Sequence, residues 1–204
     1  MLQPTFLLFL SSRPGYIKGF VRRFWQESHD HRGTDEHPGR VVTLVPVEEL
    51  GRFEDNLSET ITWGMAYKVA KDKVEEVRQH LDHREKDGYT SHHVHVYHPN
   101  FPEPVVEDAM VYMGTSDNES FAGPASIDHI AHQIYSSVGP SGPNIEYFLN
   151  LCHALRSLNP EAFDSHLAGL EKRVLEIQQE ARDKQDTSPS TPRNNQARDV
   201  AKED

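Results

Sequence analysis

Cysteine occurs once in the 204 residues, as Cys152, so no disulfide framework can form within the chain and a reducing compartment is expected. Long apolar runs are missing too, and no stretch approaches the length of a membrane-spanning helix. The apolar run at residues 6–10 invites a signal-peptide reading. It is too short, no basic residue precedes it and no clean small-residue cleavage site follows, so it reads as a buried strand. Positive charge is scarce: 21 Lys and Arg stand against 32 Asp and Glu, for a net charge of −11. That balance excludes a nucleic-acid binder unless a basic stripe compensates it. The one Arg pair, Arg22-Arg23, lies in an alternating pattern that suits a strand's solvent face. A Walker-type loop, a dinucleotide fingerprint, a Gly-x-Ser-x-Gly elbow and a His-Glu-x-x-His pair are all absent. The expectation is a cytosolic, soluble chain with neither nucleic acid nor membrane as its partner.

What is present reads as strands first and helices late. Residues 5–10 predict a strand, ended by Ser11-Ser12-Arg13-Pro14-Gly15, and residues 16–25 a strand covered on both sides for part of its length. A polar loop at 26–39 holds three histidines. Residues 40–47, rich in β-branched side chains, predict a central strand, 48–59 a surface loop, and 61–69 a strand of period two. From Lys71 to Leu81 the period changes, with Val74, Val77 and Leu81 on one helical face. Alternation returns over 89–98, and another strand follows at about 107–113. Three helices close the pattern: one capped by Ser126, one opened by Pro143 with Phe148, Leu151, Cys152 and Leu155 inward, and one opened by Asn159-Pro160-Glu161. This order favours α+β with a mainly antiparallel or mixed sheet. Residues 1–180 are expected to form one domain and 181–204 a disordered polar tail.

Candidate chemistry concentrates at Leu81-Asp82-His83-Arg84-Glu85-Lys86-Asp87-Gly88-Tyr89, a charged junction between a helix and a strand. Glu85 is its candidate carboxylate, although a solvated corner would read the same way. His93 and His95 share a strand face, and His29, His31 and His37 share a loop with Asp30, yet spacing supplies no full set of metal ligands. Cys152 lies on an apolar helical stripe and reads as a small core residue rather than a nucleophile. The turn Gly139-Pro140-Ser141-Gly142-Pro143-Asn144 precedes a helix, where backbone N–H groups would suit a ligand carboxylate or serve as ordinary capping.

Five segments appear in order: Arg22-Arg23-Phe24-Trp25-Gln26, Asp30-His31-Arg32-Gly33, Pro38-Gly39-Arg40-Val41-Val42-Thr43-Leu44, Arg84-Glu85-Lys86 with Gly88-Tyr89, and Gly139-Pro140-Ser141-Gly142 with Asn144 and Glu146-Tyr147. Together, over about residues 14–178, they resemble the ChaC-like, glutathione-specific gamma-glutamylcyclotransferase family. The resemblance implies a small mixed β-barrel flanked by helices, acting as a monomer on glutathione to give 5-oxoproline and cysteinylglycine without cofactor or metal. It maps the catalytic glutamate onto Glu85 and substrate-binding roles onto Tyr147 and Asn144. Two departures stand out. The family's Phe-Gly-Tyr-Gly-Ser-Leu opening is replaced by Thr5-Phe6-Leu7-Leu8-Phe9-Leu10-Ser11-Ser12-Arg13, and Glu27 stands where the family has glycine. Substitution of that substrate loop leaves a non-catalytic member or variant isoform as the alternative.

Overall fold

A computed structural model describes residues 9–51, 53, 60–84, 89–162 and 164–186. Its first two strands, β1 (Phe9–Lys18) and β2 (Phe20–Ser28), are one extended run broken at Gly19. Gly19 has φ near +80°, a left-handed conformation that costs glycine little. The predicted stop at residues 11–15 does not stop the chain. β1 passes straight through it, because β4 (Ile61–Val69) pairs antiparallel with it from Ser12↔Tyr67 to Gly15↔Gly64. Cross-strand pairing there outweighs the local turn preference of Pro14 and Gly15. The residues before Phe9 lie outside the described part, and with them most of the 5–10 strand expectation.

β2 pairs antiparallel with β3 (Gly39–Pro46), with a bulge between Arg23 and Gln26. The bulge changes which face each side chain takes, and every residue from Val21 to Gln26 is buried. This overturns the solvent-face reading of Arg22-Arg23: their side chains are only 7% and 6% exposed. Arg22 is covered by the start of the last helix, where it meets Asp164 at 2.9 Å and donates to the carbonyl of Trp63. Burial lowers the Arg22 pKa, and the Asp164 carboxylate opposes that shift.

After β3 the chain makes a short helix α1 (Val47–Leu50), where a surface loop was expected; buried Leu50 anchors it. Helix α2 (Val74–Arg84) buries only Val77 of its predicted stripe, with Val74 half exposed. β5 (Tyr89–Val96) and β6 (Val106–Gly114) form the third antiparallel pair. The α+β class therefore holds, but no closed barrel forms among the described residues. The ladders are two-stranded and antiparallel. An isolated bridge, Tyr16↔Tyr97, joins β1 to the residue after β5, and another, Gln26↔Phe121, joins β2 to the turn after β6. Bulges in β1–β4, β2–β3 and β5–β6 bend the strands out of a continuous hydrogen-bonded ring.

The helices α3 (Ile127–Ser136), α4 (Asn144–Leu158) and α5 (Ser165–Asp186) pack on the β2–β3 pair. Ser126 Oγ accepts from His129 N at 3.2 Å and caps α3 as expected. Ile130, Ile134, Phe148, Cys152, Leu167, Leu170 and Val174 meet Phe24, Trp25 and Val45 in one core. Each large side chain removed from water there contributes about 1.5–3 kcal/mol before entropy is counted. α5 runs to Asp186, past the expected domain end at 180, and residues 187–204 lie outside the described part. Among the described residues no helix is long and apolar enough to cross a membrane.

Candidate active site

A cleft of about 1260 Å³ opens against the β2–β3 pair. Gln26, Glu27 and Ser28 reach it from β2, and Val41 and Val42 from β3. The loop between those strands contributes Asp30, His31 and Arg32. Tyr89 stands at the start of β5, Tyr112 near the end of β6 and Tyr147 in the first turn of α4.

Three glycines set the wall that carries His31 and Arg32. A Cβ at Gly33 would sit 2.1 Å from Gly39 N, one at Gly39 2.4 Å from the Arg32 carbonyl oxygen, and one at Gly139 2.2 Å from the His31 carbonyl oxygen. Only bare backbone fits at all three, so the β2–β3 loop stacks directly on the turn between β7 (Val138–Gly139) and β8 (Gly142–Pro143). Ser141 N donates to the His31 carbonyl at 2.9 Å, and Asn144 N donates to the Ser137 carbonyl at 2.9 Å. Two N–H groups of this segment, those of Ser141 and Asn144, thus bond the protein's own backbone.

Asn144 is fully buried. Its Oδ1 accepts from Arg40 N at 2.7 Å and its Nδ2 donates to the Arg40 carbonyl at 2.8 Å. The side chain therefore serves as the missing neighbour for the end of β3, and it does not line the cleft. Tyr147 does line it. Val42 N donates to its hydroxyl oxygen at 3.4 Å, and the Arg32 guanidinium lies 5.6 Å from its ring centroid. Glu85, with Lys86, Asp87 and Gly88, falls outside the described residues; in sequence it comes four residues before Tyr89.

Tyr112 is a lining residue that sequence reading missed. Its hydroxyl donates to Asp82 of α2 at 2.5 Å. The available signal was register: Tyr112 pairs with Ser91, two residues beyond Tyr89 on β5. Gln26, 1% exposed, donates through Nε2 to Asn118 Oδ1 at 3.1 Å, fixing the turn that forms the opposite rim.

Of the loop histidines, His29 and His31 go to separate carboxylates. His31 Nδ1 lies 2.7 Å from Asp30, while His29 lies 3.5 Å from Glu27 and 3.7 Å from Asp35. His93 faces Asp108 at 2.8 Å. Among the described residues no group of three or more His, Cys, Asp or Glu could hold a metal ion. Cys152 is fully buried, and burial pushes its thiol up to about 12, which keeps it protonated and unreactive near neutral pH.

Comparison with known proteins bears on the family. The family model for ChaC-like protein matches residues 1–177. A glutathione-specific gamma-glutamylcyclotransferase of Schizosaccharomyces pombe is 42% identical over 175 residues, covering 84% of this chain and 86% of that protein. The Danio rerio glutathione-specific gamma-glutamylcyclotransferase 1 is 40% identical over 166 residues, covering 80% and 79%. A crystal structure of a glutathione-specific gamma-glutamylcyclotransferase from yeast superposes with a TM-score of 0.71 at 34% identity, covering 83% of this chain and 92% of that one. With that extent of match and with the five ordered segments converging on one cleft, the chain belongs to the ChaC-like protein family.

Proposed function

We propose that this chain is a gamma-glutamylcyclotransferase acting on glutathione, with Glu85 as its general acid and base. One observation carries the reading: residues from all five recognised segments, far apart in sequence, line the same cleft. They are Gln26; Asp30, His31 and Arg32; Val41 and Val42; Tyr89; and Ser141 and Tyr147. The names of the relatives point to the same substrate.

The chemistry needs no enzyme nucleophile. The α-amine of the γ-glutamyl group attacks its own γ-carbonyl carbon, the new C–N bond closes a five-membered lactam, and the old amide bond to cysteine breaks. The products are 5-oxoproline and cysteinylglycine. The attacking ammonium loses two protons, one before attack and one as the lactam N–H forms. The departing nitrogen gains two as it leaves and becomes an ammonium. A single carboxylate within hydrogen-bond reach can therefore relay protons from one nitrogen to the other. Holding the substrate folded for this attack contributes several powers of ten in rate. Tyr147 forms part of the wall against which the substrate folds, and Asn144 acts through the backbone of Arg40 as a positioning residue. The reaction takes place in the cytosol on this reading, in keeping with the lone buried thiol.

The test is chromatographic detection of 5-oxoproline after incubation with glutathione. The parent protein is expected to form it, and Glu85→Gln to lose about 100-fold or more of that rate. No product above the Glu85→Gln background would support the alternative, a non-catalytic member whose sequence lacks Tyr-Gly-Ser-Leu.

A further inference from the structure

The cleft is short of positive charge. Four acids, Glu27, Asp30, Asp35 and Glu119, are among its described lining residues, and Arg32 is its one Arg or Lys. A peptide bearing two carboxylates must be drawn into this acidic surface by something.

Arg32 is held as a receptor group would be. Its backbone N–H donates to Ser28 Oγ at 3.0 Å, and the carbonyl of its neighbour His31 accepts from Ser141 N at 2.9 Å. Gly33 follows it, jammed against Gly39 N, so the backbone on both sides is fixed. The half-buried guanidinium lies over the Tyr147 ring and gives one hydrogen bond from Nη1, to the Pro143 carbonyl at 3.3 Å. A guanidinium carries five N–H donors in a planar fork. Among the described residues no carboxylate forms an ion pair with it. A fixed fork with unspent donors, on the wall of a cleft, matches a carboxylate in two-point contact.

We propose that Arg32 is the carboxylate-binding residue of this cleft, pairing with one carboxylate of the peptide substrate. The identity of that peptide rests on the cyclotransferase reading. Glutathione offers two such groups, one on the γ-glutamyl residue and one on the glycine, and a neutral glycyl ethyl ester separates them.

The experiment is calorimetric titration of glutathione, and of its glycyl ethyl ester, into Glu85→Gln protein with Arg32 intact or changed to Gln or Lys. Thermal melts accompany each variant. Arg32→Gln is expected to weaken glutathione binding by about 10- to 100-fold, the size of a lost charge-assisted pair, and Arg32→Lys to recover part of it. An ester that binds the intact protein as weakly as glutathione binds Arg32→Gln assigns the glycyl carboxylate. An equal loss for acid and ester on Arg32→Gln assigns the γ-glutamyl carboxylate. Unchanged affinity in Arg32→Gln overturns the proposal. So does a loss that Lys does not relieve at all and that tracks a lowered melting point. Binding is read here without turnover, so a parent that makes no 5-oxoproline and an Arg32 that does not matter are separate results.

Discussion

Replacing Asn144 by Ala separates a scaffold role from a substrate contact. The amide is completely buried and its two short hydrogen bonds, 2.7 and 2.8 Å, both end on the backbone of Arg40, a residue only 4% exposed. Alanine removes both partners at once and leaves one buried N–H and one buried carbonyl unsatisfied. Each such orphan costs about 1–3 kcal/mol, so the pair costs about 3 kcal/mol once some water enters the space left by the amide. For a chain of this size that lowers the melting point by roughly 6–12 °C. Asn144→Asp keeps the acceptor for Arg40 N but sets an oxygen against the Arg40 carbonyl, so it should not rescue the fold. Differential scanning calorimetry gives the melting points, and 5-oxoproline kinetics give KM and kcat. The substrate-contact role that the resemblance implies predicts the opposite pattern: a raised KM with the fold intact. An unchanged melting point with a raised KM for Asn144→Ala would refute the scaffold reasoning.

Two further predictions concern polar groups packed against β2. His166 Nε2 accepts from Phe24 N at 3.1 Å, and burial, then the charge of Arg23, push its imidazole down to about 3 from 6.5. The unfolded chain takes up that proton below about pH 6.5 and the folded chain does not until about 3, so stability is present above this window and drains away as pH falls through it. Thermal melts between pH 7 and 4 should therefore fall more steeply for the parent than for His166→Gln; parallel curves would sink the idea. Asp164→Asn keeps an acceptor for Leu167 N, now 2.9 Å from Asp164 Oδ1, but leaves buried Arg22 without its counter-charge, and should cost about 3–5 kcal/mol in urea unfolding. A negligible loss would mean that the carbonyls of Trp63 and Ala162 hold the guanidinium well enough by themselves.

The helical half of the fold was the more legible. Ser126 as a cap and the stripes of α3, α4 and α5 follow from 3.6-residue periodicity, a local property of the chain. The strands were less legible because their limits are set by partners. Ser11 to Gly15 carry turn chemistry yet stay extended, since β4 supplies a ladder that one-dimensional reading cannot see. The bulge after Arg23 shifts the parity of β2, which is why a buried arginine pair looked like a solvent face. At the site, Tyr147 was readable through its segment, whereas Tyr112 became visible only through its register against β5.

The five segments do two different jobs, and the bulge in β2 divides them. Before it, Arg22 turns inward to Asp164 and Arg23 is buried beside Trp25; after it, Gln26, Glu27 and Ser28 reach the cleft. The same division recurs at the other end of the chain, where Asn144 braces Arg40 and Tyr147, three residues on, faces the cleft. Between them the glycines Gly33, Gly39 and Gly139 let three backbone stretches touch, and that contact takes up the N–H of Ser141. A turn that spends its donors on the scaffold leaves fewer of them for an anion. On the described walls, positive charge for a dicarboxylate peptide must then come from a side chain, and Arg32 is the one Arg or Lys that reaches the cleft. The glycine stack and the half-buried guanidinium fork are thus two consequences of one arrangement: the contact that takes up the Ser141 N–H is the contact that holds Arg32 still.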